Sequence, residues 1–146
     1  MRIIIKDLNE LEDFANKFAS KLQKGDAICL NGELGSGKTQ FVALCAKKLG
    51  YEDEVTSPTF CFMNEYQISQ DFSIYHFDLY RLNDPSELSE IGFDDFGYNP
   101  ESGISFIEWS SLFSEDMPDD AINIDFYGHG SEPRTLHISG TCRLVL

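Results

Sequence analysis

Apolar residues recur along this chain with two periods, and the switching between them predicts strands alternating with helices. Three isoleucines between Arg2 and Lys6 read as a first strand. Leu11, Phe14, Ala15, Phe18, Ala19 and Leu22 then recur at helical spacing. Asn9, with Glu12 three residues on, reads as a capping box that opens this helix, and Gly25 as its end. Ala27-Ile28-Cys29-Leu30 is a short apolar strand candidate. Phe41 to Ala46 reads as a second helix, with Lys47 and Lys48 in its last turn and Gly50 as its stop. Packing and capping account for all of these features.

The second half changes period again. Thr56-Ser57-Pro58-Thr59-Phe60 is a polar turn leading into a strand from Phe60 to about Gln67. Ser73 to Leu79 is a strand rich in aromatic and branched residues. Asp84 as N-cap, Pro85 at the first helical position and Glu87 reaching back predict a helix start, so these two carboxylates are assigned to capping. A strand from Ile104 to Glu108 precedes a short helical piece around Ser111–Phe113. Two more strands follow near Ala121–Tyr127 and Thr135–Ser139, joined by a loop containing Gly and Pro. The expected fold is α/β, a mixed sheet with antiparallel additions.

Composition sets bounds on this picture. A chain of 146 residues is expected to form a single domain, residues 1–146, with a real core. Hydrophobic content of 42% and a mean hydropathy of −0.25 match a soluble globular protein. The N-terminus turns polar after Ile5, so it is read neither as a signal peptide nor as a membrane span. Cys29, Cys45, Cys61 and Cys142 form no C-x-x-C pair, which favours buried reduced thiols in a cytosolic protein over a zinc site.

Charge is more telling. The net charge is −14, and Leu82 through Pro133 holds thirteen Asp or Glu residues without one Lys or Arg. A field of that sign repels nucleic acid. It reads either as a solvated surface that keeps the protein soluble or as a docking face for a basic protein partner.

Gly32-Glu33-Leu34-Gly35-Ser36-Gly37-Lys38-Thr39 matches the phosphate-loop pattern G-x-x-x-x-G-K-[ST] at every fixed position, between a strand and a helix. The glycines let the backbone turn tightly, so that successive N–H groups and the helix N-terminus face a polyphosphate. Lys38 supplies a point charge for the β- and γ-phosphates, and the Thr39 hydroxyl suits Mg²⁺. The alternative, a glycine-rich turn without a ligand, is the weaker reading. The chain is expected to bind a nucleoside triphosphate.

Such a loop needs a carboxylate nearby, and in these folds ligands gather at the carboxyl ends of the strands. Asp78 and Glu108 are the two candidates; the alternative for each is an ordinary strand-end acid. Alternation puts His76 on the same face as Asp78, where a packed histidine is favoured over a base. Thr59 is either a switch residue that responds to the γ-phosphate or a plain turn residue. Arg81 reads as a structural pair or a phosphate contact, and Arg134 has no role legible from its position. No N-K-x-D, no L-S-G-G-Q and no arginine-rich lid is present, which sets aside GTPases, transporter ATPases and metabolite kinases.

In order along the chain stand the loop Gly32–Thr39, Ser57-Pro58-Thr59-Phe60, Glu65-Tyr66, His76-Phe77-Asp78-Leu79-Tyr80-Arg81-Leu82 and Glu108-Trp109. Together they resemble the TsaE (formerly YjeE) family, small bacterial ATPases of the tRNA threonylcarbamoyladenosine pathway, over nearly the whole length. The resemblance implies that Lys38 and the loop from Glu33, Leu34, Gly35, Ser36 and Gly37 to Gln40 bind the ATP phosphates. It implies Thr39 and Glu108 as ligands of Mg²⁺, Asp78 in a Walker B-like position and Thr59 in a switch-like loop. Trp109 would be functionally sensitive, and Asn9 and Arg134 would lie toward the adenosine, although many members have Thr or Ser where Asn9 aligns. TsaB and TsaD are the implied partners, with tRNA reached only through the complex and no membrane involved. Two rivals come from other classes. A nucleotide-gated binding module would keep working in a Glu108→Ala variant, and a phosphotransferase would release ADP in response to a metabolite alone.

Overall fold

The computed structural model describes residues 1–58, 61–128 and 130–140. Seven strands form one mixed sheet: β1 (Arg2–Ile5), β2 (Ala27–Asn31), β3 (Met63–Ser69), β4 (Phe72–Asp78), β5 (Gly103–Glu108), β6 (Ile122–Tyr127) and β7 (Arg134–Ser139). Their order is β1-β7-β6-β2-β5-β4-β3. The inner strands β6, β2, β5 and β4 are parallel to one another, and β7, β1 and β3 are antiparallel additions. This is the expected mixed α/β sheet.

Side-chain alternation divides the core between the two faces. Ile28, Leu30, Ile74, Ile104 and Phe106 meet α1 (Leu8–Ala19) and α2 (Lys38–Leu49) on one side. Here Phe14, Phe18 and Phe41 pack with ring centroids 5.4 to 5.9 Å apart. Ala27, Cys29, Tyr75, Phe77 and Ile107 point the other way. They meet α3 (Glu87–Glu90), α4 (Phe93–Phe96) and a 3-10 segment, Ser110–Asp116, through Leu88, Phe93 and Phe113. Among the described residues no helix is long and apolar enough to cross a membrane.

Several local expectations need correction. Asp7, not Asn9, caps α1: its Oδ1 accepts from the Glu10 N–H at 2.9 Å, while Glu10 Oε2 accepts from the Lys6 N–H at 2.7 Å. The acid pair has capping-box spacing but lies two residues upstream, which leaves Asn9 exposed in the first turn. The helix ends at Ala19, well before Gly25, because Lys21 and Leu22 bond back to Phe18 and Ala19 in tightened i to i−3 turns. Gly25, at φ +94°, instead serves the turn into β2. α3 starts at Glu87, with Ser86 in the cap position; Asp84 and Glu87 still hold backbone N–H groups, those of Ser86 and Asn83. Cys29 and Cys45 are buried free thiols as expected, but Cys61 is exposed; Cys142 lies outside the described residues. α2 stops at Gly50 with φ +112°, as the sequence predicts.

One close approach went unpredicted. Gly103 pairs with Ser73, and a β-carbon there would stand 1.7 Å from the Ser73 carbonyl oxygen. Only glycine lets β5 begin against β4 at this point.

Candidate functional site

The parallel strands β2, β4 and β5 end at one edge of the sheet. Leu30 pairs with Glu108, and Glu108 with Asp78, so both carboxylates stand beside the start of the phosphate loop. The loop runs from Asn31 to Lys38, where α2 begins behind Gly37 at φ +105°. Gly32 is equally constrained: a β-carbon would meet the Phe126 carbonyl oxygen at 2.7 Å and the Ser36 hydroxyl at 2.8 Å. The α2 N-terminus therefore faces a cavity of about 520 Å³ lined by residues 33–40 together with Ser57, Asp78, Arg81, Glu108 and Trp109.

Thr39 and Glu108, far apart in sequence, come together here. The Thr39 hydroxyl donates to Glu108 Oε2 at 2.9 Å. Glu108 is only 3% exposed, and its Oε2 also lies 2.5 Å from Nε2 of the fully buried His76. Asp78 is half-buried; its Oδ1 accepts from the Tyr80 N–H at 3.0 Å and its Oδ2 from the Ser57 hydroxyl at 3.4 Å. Burial raises the Asp78 pKa; the Tyr80 N–H works against this, while the neighbouring charge of Glu108 adds to it.

Lys38 is buried at the loop's end. Its ammonium donates to the Gly32 carbonyl and lies 4.1 Å from the Trp109 ring centroid. Burial lowers its pKa, opposed by the charges of Glu108 and Asp78. Trp109 holds the left-handed conformation, φ +63°, and packs on Tyr80 with centroids 4.8 Å apart.

A second cavity of about 410 Å³ adjoins the first and shares Gly37 and Gln40 with it. Its walls include Lys6, Asp7, Leu8, Leu11 and Arg134. Asn9 is not among them; the start of α1 reaches this cavity through its capping residue instead. Arg134 lines it while turning its guanidinium onto main-chain oxygens. Nε donates to Ser36 O at 2.9 Å, Nη2 to Gly35 O and Gly130 O at 3.0 Å each, and Nη1 to Glu132 O. No signal in the sequence marks this bracing of the loop.

These residues fit magnesium better than a cation caged by protein alone. Among the described residues no three His, Cys, Asp or Glu side chains gather as a metal cluster. A hydroxyl and one or two carboxylates suit an ion that completes its shell with phosphate oxygens and water. The Ser36 hydroxyl, buried in the loop, has no protein partner and would be satisfied by such an acceptor. Thr59 lies outside the described residues. The sequence also gave Tyr66 no role, yet its hydroxyl bonds to His76; a histidine inside a buried strand always needs partners, and that was the available clue.

Comparison with known proteins identifies the family of the chain. Residues 5–136 match the family described as threonylcarbamoyl adenosine biosynthesis protein TsaE. The chain belongs to the TsaE family. The tRNA threonylcarbamoyladenosine biosynthesis protein TsaE of Haemophilus influenzae is 41% identical over 121 residues, covering 78% of this chain and 75% of that protein. The Bacillus subtilis protein of the same description is 33% identical, over 87% of this chain and 77% of its own length. The crystal structure of Bacillus subtilis YdiB shares the fold, with a TM-score of 0.77 and 24% identity over 99% of this chain and 88% of that one. Sequence resemblance and family membership thus coincide.

Proposed function

We propose that this chain, acting as one domain over residues 1–146, is the ATP-binding and ATP-hydrolysing subunit of threonylcarbamoyl transfer to tRNA. The target would be the adenosine beside the anticodon in tRNAs that read codons beginning with A. TsaB and TsaD would be its protein partners in the cytoplasm. Membership in the TsaE family supports the pathway. The observation that carries the catalytic part is the 2.9 Å contact between Thr39 of the phosphate loop and the strand-end Glu108.

In this reading, residues 33–40 wrap the polyphosphate with backbone N–H groups, and Lys38 turns from the Gly32 carbonyl toward the β- and γ-phosphates. Thr39 and Glu108 hold Mg²⁺, with Asp78 alongside. Held there, the ion would supply positive charge against the phosphates. Asp78 or Glu108 positions the attacking water, and Thr59 senses the γ-phosphate. The base and ribose occupy the adjoining cavity beside Asp7, Leu8 and Arg134. Asn9, outside that lining, is left with a peripheral part at most.

Four carbonyls take four of the five N–H donors of the Arg134 guanidinium, which supports slow hydrolysis by the isolated chain. An arginine supplied from outside is worth roughly 10³ to 10⁵ in rate for such reactions. The net charge of −14 supports contact with tRNA only through protein partners. The test is ATP hydrolysis by this chain alone and with purified TsaB–TsaD, alongside Lys38→Ala. Activity that rises with the partners and vanishes in the variant is expected. Partners that change nothing would remove the pathway role and leave a nucleotide-binding domain.

A further inference from the structure

One line of hydrogen bonds runs from the segment before Pro58 to the metal-site carboxylate. The Tyr66 hydroxyl donates to the Thr56 carbonyl at 2.9 Å. Its oxygen lies 2.9 Å from His76 Nδ1, and His76 Nε2 lies 2.5 Å from Glu108 Oε2. Thr39 donates to that same Glu108 oxygen. A carbonyl only accepts, so the phenol hydrogen goes to Thr56, and His76 Nδ1 faces the phenol oxygen. Nε2 is thereby the ring atom presented to Glu108. His76 is 0% exposed, so no water can replace either bond, and turning the ring would break both in the interior.

The far end of this line is itself anchored. Asn64 Nδ2 donates to the Thr56 carbonyl at 3.2 Å, and the next residue, Ser57, reaches the other strand-end carboxylate, Asp78. The Thr56–Ser57 segment therefore touches Asp78 directly and Glu108 through two buried side chains. Plain core packing explains a buried Tyr–His pair but not why its two ends are a loop carbonyl and the carboxylate that faces the phosphate loop.

We propose that Tyr66 and His76 are positioning residues for Glu108, fixing its orientation toward Thr39 and tying it to the position of the Thr56–Ser57 segment. The inference rests on the magnesium-and-ATP reading of the site. Its signature is a change in metal dependence with nucleotide binding preserved. Partners of this kind behind a metal ligand cost about 10- to 100-fold in metal affinity or activity when removed.

The test uses the full chain and Tyr66→Phe, which deletes one oxygen and keeps the ring packed 5.0 Å from Tyr51. ATP binding without magnesium is followed through Trp109 emission, and hydrolysis is titrated with magnesium. Tyr66→Phe is expected to hold metal-free ATP affinity within about twofold and to raise the magnesium concentration for half-maximal hydrolysis about 10-fold. His76→Gln, whose side-chain amide can offer an N–H to Glu108 but loses the Tyr66 link, should behave like Tyr66→Phe, and His76→Leu should lose about 100-fold. If His76→Leu does not fold, the two milder variants still decide the question. A wild-type magnesium titration in Tyr66→Phe and His76→Gln, whatever their melting temperatures, overturns the positioning role alone. A wild-type chain that neither binds nor hydrolyses ATP overturns the site reading, and the positioning role with it.

Discussion

The Lys38 ammonium lies 4.1 Å from the centroid of the Trp109 ring, at the point where the phosphate loop meets the end of β5. Trp109 is the only tryptophan in the chain, so its emission reports on this one site. A desolvated cation over an indole is worth up to about 2 kcal/mol, enough to hold Lys38 in place but weaker than a polyphosphate's pull. ATP should therefore draw Lys38 off the ring and change the emission. Lys38→Ala should show no ATP-dependent change in a stopped-flow or equilibrium titration and lose about 10²-fold or more in hydrolysis. An unchanged wild-type signal at saturating ATP would count against the loop as the phosphate site.

Asp78 gives a prediction in pH. Burial raises its pKa in the fold, so the folded state binds that proton more tightly than the unfolded chain does. Its contribution to stability is present below the ordinary carboxylate range and is lost as pH rises through the folded pKa. Asp78→Asn keeps an acceptor for the Tyr80 N–H and turns the Ser57 contact into one in which the amide donates, while removing the charge. The variant should melt at a higher temperature than wild type at pH 8, with the gap closing below about pH 4. Hydrolysis should fall in the same variant, a trade of stability for function. A lower melting temperature at pH 8 would contradict the sign.

The sheet and the phosphate loop were legible because each is written locally. The aromatic and branched residues of Ser73–Leu79, the apolar run that ends at Glu108, the glycines of the loop and the stop at Gly50 all act within a few residues. The start of α1 was misplaced by two residues because Asp7-x-x-Glu10 and Asn9-x-x-Glu12 carry the same spacing, and only the backbone N–H groups actually taken decide between them. Asp78 and Glu108 were legible as strand ends, but the His76 and Tyr66 contacts behind Glu108 cross three strands and depend on register. Arg134 lay beyond reach for the same reason. Its partners Gly35 and Ser36 offer main-chain oxygens, which no residue type announces.

That bracing predicts an arginine-specific effect. The Arg134 guanidinium spans Gly35, Ser36, Gly130 and Glu132, a fork that a lysine ammonium cannot reproduce. Arg134→Lys keeps the charge yet should weaken ATP binding about 10-fold and cost about 1–2 kcal/mol of stability. Isothermal titration and chemical denaturation would measure the two effects. Equal ATP affinity in Arg134→Lys and wild type would reduce the residue to a surface charge.

Two glycines should fail in different ways when given a side chain. Gly103 lies under the Ser73 carbonyl where β5 starts, remote from the carboxyl-terminal strand ends that carry the site. Gly32 lies in the loop itself, at φ +151° and against the Phe126 carbonyl. Gly103→Ala has to push β5 away from β4, an overpacking cost of about 1–3 kcal/mol, while the folded fraction retains ATP affinity. Gly32→Ala meets backbone and a buried hydroxyl together, so the loop must shift, and ATP affinity should fall along with stability. Gly35 has open space for a β-carbon and only its φ of +80° to strain, so Gly35→Ala should be the mildest of the three. Melting curves with and without ATP separate these cases: ligand-induced stabilisation persists in Gly103→Ala and is lost in Gly32→Ala. The reverse pattern would mean that the loop tolerates displacement and that its backbone does not set the phosphate site.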